Sequence, residues 1–152
     1  MFYLKTIALR FGDNFAPEPG TIALHKQVIE EKSYVWYGKF GNAISKKNET
    51  TIMQNDKPRI LLIKSGCADR YWAYISDIKR TLSDDELDNV PSYYRDRSNT
   101  IKCWFKIEKI EVADNKVMSK CIISSTGNPL SNSSKHSMNP FFIIDYQEDE
   151  ND

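Results

Sequence analysis

The sequence predicts an α+β fold in which a curled, mixed β-sheet or partial barrel carries two or three flanking helices. Three observations support this prediction. Short stretches rich in β-branched and aromatic residues recur along the chain, two further stretches have helical features, and the two kinds do not alternate as they do in a parallel sheet. The length of 152 residues is that of one domain. We expect this domain to span residues 1–146.

Seven stretches have the composition of strands: residues 2–10, 34–40, 59–65, 71–78, 100–112, 116–123 and 140–146. The third and fourth are separated by GCADR, which is compatible with a hairpin. Residues 21–32 form a predicted helix, because their apolar side chains share one helical face and Thr21 can act as the N-cap. A second, short helix is predicted after Leu82, where Ser83 and Glu86 have the spacing of a capping box.

The longest predicted strand, residues 100–112, alternates between an apolar and a mostly charged face. Phe105 lies with the apolar set, and Trp104 shares the opposite face with Lys102 and Lys106. We therefore expect Trp104 to face solvent. The alternation reverses after Ile107, which predicts a bulge near Glu108 or Lys109.

Two polar segments stand outside the strands. Residues 124–140 form a polar run without predicted secondary structure, and long loops of this kind are often functional, so they are the first candidate for a binding loop. Residues 147–152 are strongly acidic and predict a disordered tail, which can lead to a second domain or a partner protein. Without the four acidic residues among the last five positions, 21 basic residues face 17 acidic ones, a surplus of four positive charges.

Composition excludes several protein classes. No apolar run approaches the roughly 18 residues of a membrane span, and the first residues lack the features of a signal peptide, so a cytoplasmic location without membrane contact is expected. Cys67, Cys103 and Cys121 have no metal-binding spacing and are expected to be free thiols. No motif for a nucleotide cofactor, a catalytic metal or a serine nucleophile is present, and no cofactor is predicted.

Aromatic and basic residues are the most informative feature for function. Trp36, Trp72 and Trp104 each lie in a predicted strand with a Lys or Arg close by. Bases stack on aromatic rings while cations attract phosphates, so this pairing is typical of nucleic-acid binding. A further set of basic residues could form one phosphate-tracking stripe: Arg95, Arg97, Lys102, Lys106 and Lys109. The pattern is equally compatible with tryptophans covered by a loop and with a mixed, solvated face.

The order of several segments resembles the PUA-like superfamily over roughly residues 33–146. These segments are VWYGK, ILLIKS, YWAYISDI, YYRD, IKCWFKIEKIE and NPFFIIDY. Within the superfamily the likeness is to EVE and YTH-type domains and to the DNA-reading amino-terminal domains of McrB-like restriction proteins. The resemblance implies a small curled barrel that binds DNA or RNA, in a bacterial defence or RNA-related context. In the EVE and YTH members an aromatic pocket receives a flipped or single-stranded modified base.

The resemblance also implies positions for such a pocket. Trp36 and Tyr37 would border it together with Gly38 and Lys39, and Gly38 would let the backbone approach the ligand or bend the strand, unless it marks a plain bulge. Two further elements would complete the pocket: a second wall from Trp72 or Tyr74, and a rim from Ser65 and Gly66.

The main interpretation is a non-enzymatic module that binds nucleic acid. One alternative is a module that binds a small ligand or a protein in its aromatic pocket. Another is a metal-dependent nuclease that uses Asp69, Asp77 and Lys79, since two carboxylates can hold Mg²⁺ for phosphodiester cleavage.

Overall fold

A computed structural model describes residues 2–64 and 66–148. Its strands are β1 (Phe2–Phe11), β2 (Val35–Lys39), β3 (Arg59–Lys64), β4 (Arg70–Lys79), β5 (Cys103–Val112), β6 (Cys121–Ile123) and β7 (Phe141–Glu148). Its α-helices are α1 (Thr21–Lys32), α2 (Lys46–Met53) and α3 (Leu130–His136). Short 3₁₀ helices occupy Glu86–Asn89, Ser92–Thr100 and Val117–Lys120.

The strands form one mixed sheet in the order β2-β5-β4-β3-β1-β7-β6. β1 and β3 are parallel, and the other neighbours are antiparallel, including the predicted β3–β4 hairpin. The sheet curls strongly, because Lys39 Nζ on β2 lies 4.9 Å from the ring centroid of Phe141 on β7, although four strands separate β2 from β7. The predicted α+β class with a curled mixed sheet is confirmed. The sheet is not a closed barrel, since β2 and β6 are its two edges among the described residues.

The concave face of the sheet holds the main core. Alternate residues of the long strands point into it, among them Ile7, Leu62, Ala73 and Phe105. Helices α1 and α2 cover this face, with Ile52 of α2 fully buried against the sheet. The curl therefore wraps the sheet around two helices.

The convex face carries two smaller clusters that lie under different segments. Around β1, β3, β4 and β7, the 3₁₀ helix at Val117–Lys120 and Leu130 of α3 close the first cluster. Around β2 and β5, residues from the segment between β4 and β5 cover Trp36 and Trp104. Trp104 is 0% exposed, so the expectation that it faces solvent is wrong. Strand alternation predicts the correct face for Trp104, but Val90, Tyr94 and Ile101 cover that face.

Helix α1 occupies the predicted range. Gly20, not Thr21, is its N-cap, because Thr21 already lies in the first turn and its backbone N–H donates a 2.9 Å hydrogen bond to Asp13 Oδ1. Helix α2 was not predicted. It begins after Ser45, whose hydroxyl accepts from the Asn48 N–H, and most of its residues are polar, with Ile52 its one buried residue.

The predicted capping box is present. The Ser83 N–H donates to Glu86 Oε1 at 2.9 Å, and the Glu86 N–H donates to Ser83 Oγ at 3.3 Å, at the entry to a 3₁₀ helix. The predicted bulge is present too, since Tyr74 pairs with Lys109 and Ile75 with Ile107, which leaves Glu108 between them. The strand predicted over 116–123 is shorter than expected, because Val117–Lys120 is helical and β6 has three residues.

The polar run at 124–140 is not an unstructured loop, because it contains α3. Arg10 fixes the end of this segment: its guanidinium donates to the carbonyl oxygens of Ser134, Ser137 and Asn139 at 3.1, 3.0 and 3.2 Å. At the carboxyl end of the chain, β7 runs through Gln147 to Glu148, and residues 149–152 of the acidic segment lie outside the described residues. Across the described part of the chain, no helix combines the length and the apolar character needed to cross a membrane.

Candidate nucleic-acid interface

A cavity of about 190 Å³ opens where the loop after β1 meets the end of β2. The 3₁₀ helix at Ser92–Thr100 and Pro140 complete its walls. Six aromatic residues line it: Phe11, Phe15, Tyr37, Phe40, Tyr93 and Tyr94. A concave, mostly aromatic site with a few polar groups is the usual form of a ligand pocket.

The rim of the cavity presents two aromatic rings to solvent. Phe15 is 52% exposed and Phe40 is 38% exposed, and their ring centroids lie 5.3 Å apart. The guanidinium of Arg97 stacks 4.2 Å from the Phe15 ring centroid. An exposed aromatic pair beside a planar cation offers stacking surfaces and positive charge at the same place.

The inner wall is a packed set of rings. Tyr93 and Tyr94 lie 4.5 Å apart, and His25 of α1 lies 4.9 Å from Tyr37 and 5.5 Å from Tyr94. Burial raises the pKa of Tyr37, Tyr93 and Tyr94 and lowers that of His25 to about 4. These four side chains are therefore uncharged at neutral pH, so this wall offers an uncharged aromatic surface.

Lys39 shapes the end of β2 beside the cavity. It is 3% exposed, and its Nζ donates to the carbonyl oxygens of Phe40 and Asn42. Burial lowers its pKa. These bonds close the turn after β2 and hold the backbone of Phe40, so Lys39 positions one of the two rim rings.

The model of the Pua-like family matches residues 7–150 of the sequence, nearly the whole chain. The chain belongs to the Pua-like family. Comparison with curated proteins and with solved structures finds no match. Domains of the Pua-like family generally bind RNA or DNA.

The structure brings four of the predicted site residues together in this Pua-like domain. Tyr37, Gly38 and Lys39 line the cavity, and Arg97 stacks on its rim. Arg95 lies apart and lines a different cavity beside α1. Of the two rim residues predicted together, Ser65 lies outside the described residues, and Gly66 borders a groove on the other side of β1.

The predicted tryptophans lie away from the cavity. Trp36 is 2% exposed and packs with Trp104 on the convex face. Neither Trp72 nor Tyr74 is the second wall, because both point to the convex face, where Trp72 packs edge-on against Tyr146 at 4.9 Å. Strand parity explains this result, since alternate side chains of β2 and β4 face opposite sides of the sheet.

The residues of the predicted basic stripe have different neighbours, and one continuous stripe stays a prediction. Lys106 lies 4.3 Å from the Tyr34 ring centroid and Lys109 lies 5.5 Å from that of Tyr74, so the two lysines serve different neighbours. Lys109 is also paired with Glu111 at 3.2 Å. Lys102 is exposed just before β5. Binding of nucleic acid by Lys102 and Lys106 stays a prediction.

Sequence reasoning missed the residues that complete the cavity, among them Phe15, Phe40, Tyr93 and Tyr94. A usable signal was present for three of them. Phe15 lies in a segment rich in Gly and Pro, and Tyr93 and Tyr94 lie between the helix predicted after Leu82 and the strand predicted at 100–112. Large aromatic residues in predicted loops indicate either a cover for the core or a binding surface, and here they are both.

The proposed nuclease constellation is not assembled. Asp69 precedes β4 and Asp77 lies near its far end, eight residues along an extended strand, which corresponds to about 26 Å. Lys79 pairs with Glu86 at 2.6 Å instead. Within residues 2–64 and 66–148, no group of three His, Cys, Asp or Glu side chains is arranged to hold a metal ion. The two carboxylates therefore cannot share one Mg²⁺ ion.

Proposed function

We propose that this Pua-like domain binds single-stranded or locally opened nucleic acid by accepting one base in the aromatic cavity. The observation that carries the proposal is the rim, where Phe15 and Phe40 are exposed 5.3 Å apart and Arg97 stacks on Phe15. Leaving two phenyl rings in water is unfavourable, and a stacked base would remove that surface from water. Arg97 adds positive charge for the adjacent phosphate.

The size of the cavity supports a single ring system as its occupant. Its volume of about 190 Å³ is smaller than the roughly 300–1,000 Å³ of pockets for drug-sized ligands. A paired base inside a duplex cannot reach such a cavity without leaving its stack. The proposal therefore favours single strands, or duplexes in which the base is flipped.

The chemistry of the inner wall supports recognition of a methylated base. Tyr37, Tyr93 and Tyr94 are neutral rings backed by the neutral His25. A methyl group is more favourably placed against such rings than in water, at roughly 0.8 kcal/mol per buried carbon. A base that carries a methyl group is therefore expected to bind more tightly than its unmodified form.

The direct test is an equilibrium titration of the domain with fluorescein-labelled single- and double-stranded DNA and RNA, with and without methylated bases. We expect single strands to bind, with an affinity that falls steeply between about 50 and 200 mM salt. Phe40→Ala is expected to weaken this binding, whereas Val112→Ala removes an equally apolar side chain, 72% exposed, that does not line the cavity. No binding of any oligonucleotide at low salt would overturn the proposal. Salt-independent binding of free nucleosides alone would favour a small-ligand module.

A further inference from the structure

A groove of about 630 Å³ lies on the other side of β1 from the aromatic cavity, between the β3–β4 turn and α3. Its walls include Gly66 and Cys67 on one side and Ser131 and Ser134 on the other. Its volume exceeds that of the aromatic cavity about threefold. The groove therefore has room for a larger group than the cavity.

The groove is lined by cations without a lining carboxylate. Arg10, Lys64, Arg70 and Lys135 contribute to its walls. The nearby cavities differ: each of the two cavities that adjoin α1 has two basic and two acidic residues in its lining. A groove with one sign of charge focuses the electrostatic field on a ligand of the opposite sign.

Some of the basic side chains in the groove already have partners, and the others are available to bind a ligand. Lys64 pairs with Asp13 at 2.6 Å, and Arg70 donates to the carbonyl oxygen of Ala68. The Nε of Arg70 is buried and has no hydrogen-bond partner. Lys135 is exposed on α3 and has no ion pair within the part of the chain that the structure describes. Lys135 and Arg70 therefore remain to bind an anion.

Arg10 separates the groove from the aromatic cavity at the end of β1. Arg10 lines both, and its guanidinium holds the chain after α3 through three carbonyl oxygens. A nucleic-acid strand that places one base in the cavity must continue beyond the rim of the cavity. Because the cavity opens on the concave face and the groove on the convex face, that strand would pass around the end of β1, where Arg10 lies between the two sites.

We propose that this groove binds the sugar–phosphate backbone of the nucleotides next to the base in the cavity. In this arrangement, Lys135 and Arg70 contact phosphate oxygens, while the hydroxyls of Ser131 and Ser134 donate hydrogen bonds to them. The inference rests on the proposed function, because it places the rest of the strand whose base enters the cavity. Phosphate contacts in the groove would then supply affinity for the strand, and the aromatic cavity would select the base.

The test compares a single-stranded heptanucleotide with a nucleoside that carries the preferred base. Lys135→Ala is expected to weaken binding of the heptanucleotide about three- to tenfold at low salt and to reduce the salt slope by about 0.7. Lys135→Glu is expected to weaken it further, and Arg70→Ala to act in the same direction. Binding of the nucleoside is expected to stay unchanged, because it carries no phosphate for the groove to bind.

The matched controls are Lys57→Ala and Lys57→Glu, at an exposed lysine in the turn before β3 that does not line the groove. If Phe40→Ala weakens binding but Lys135→Glu has the same effect as Lys57→Glu, the groove proposal is wrong and the base site stands. If the unaltered domain binds no oligonucleotide, the proposed function itself fails. Full competition by a heptaglutamate peptide at equal charge would show that the groove binds acidic protein and would also overturn the proposal.

Discussion

The indole ring of Trp104 lies against the backbone of Gly38, its partner on the neighbouring strand. The two residues face each other in the β2–β5 register, and a Cβ on Gly38 would lie 2.9 Å from Trp104 Cζ3. The same Cβ would lie 2.9 Å from Ile101 Cδ1 and 3.1 Å from Tyr94 Cε1. Gly38 therefore leaves room for the rings that cover the convex face, and this contact explains the glycine that follows two aromatic residues in VWYGK.

Gly38→Ala is expected to destabilise the domain. A methyl group at this position overlaps three packed side chains, and overpacking of this kind typically costs about 1–3 kcal/mol. The free energy of unfolding in urea measures the effect. Gly12→Ala is the control, because a Cβ there meets no atom within 4 Å and we expect a change of about 0.5 kcal/mol or less.

Strand alternation was enough to predict which residues share a face, but not what covers that face. Phe105 and Trp104 were assigned to opposite faces, and the structure places them so. Alternation alone predicts a solvated face around Trp104, because nothing in the pattern of β5 indicates the cover that Val90 and Tyr94 provide. The cavity depends on the same kind of long-range contact, since Phe15 and Phe40 meet only after the loop after β1 folds across the end of β2.

Binding is expected to depend on the rim rings and not on the buried tryptophans. Phe15→Ala should weaken binding of a single strand by about 1–3 kcal/mol, the range for loss of one stacked base. Trp104→Phe is expected to lower stability through a packing defect and to leave the affinity of the folded protein unchanged. Fluorescence anisotropy titrations, paired with urea unfolding, separate the two effects. An affinity that falls with Trp104→Phe and not with Phe15→Ala would place the site on the convex face.

The stability of the domain should fall on mild acidification because of His25. Burial lowers its pKa to about 4 from the ordinary 6.5, so in this interval the unfolded chain binds a proton that the folded chain does not. The free energy of unfolding therefore levels off above about pH 7.5 and falls by about 1.5 kcal/mol between pH 6.5 and 5. Urea unfolding at several pH values measures this slope.

His25→Phe should remove the pH dependence of stability between pH 5 and 6.5 while keeping a ring beside Tyr37. The carboxyl groups of Asp13, Glu86 and Glu111 also have lowered pKa values, but their stabilising effect is lost below the usual range of free carboxyls, at lower pH than this window. An unchanged slope in His25→Phe would show that another group takes up the proton.

Arg59 is expected to stabilise the convex face by stacking its guanidinium on neighbouring aromatic rings. Its guanidinium lies 4.6 Å from the Trp72 ring centroid and 5.6 Å from that of Tyr146, and the residue is 6% exposed. Arg59→Lys keeps the charge but loses the planar stacking, so we expect it to lower the free energy of unfolding by about 1–2 kcal/mol. Lys5→Ala breaks an exposed ion pair with Asp145 and should change it by less than about 1 kcal/mol. Equal effects of the two variants would contradict the stacking role of Arg59.

The central claim, that one base lies among the rings of the cavity, is tested most directly by nuclear Overhauser effects between a bound oligonucleotide and the domain. The domain is prepared with selectively labelled Phe and Tyr rings and saturated with a short single strand. We predict contacts from the protons of one base to the rings of Phe15, Phe40 and Tyr93, and their loss in Phe40→Ala. A bound strand whose base protons contact only rings outside this cavity would contradict the account.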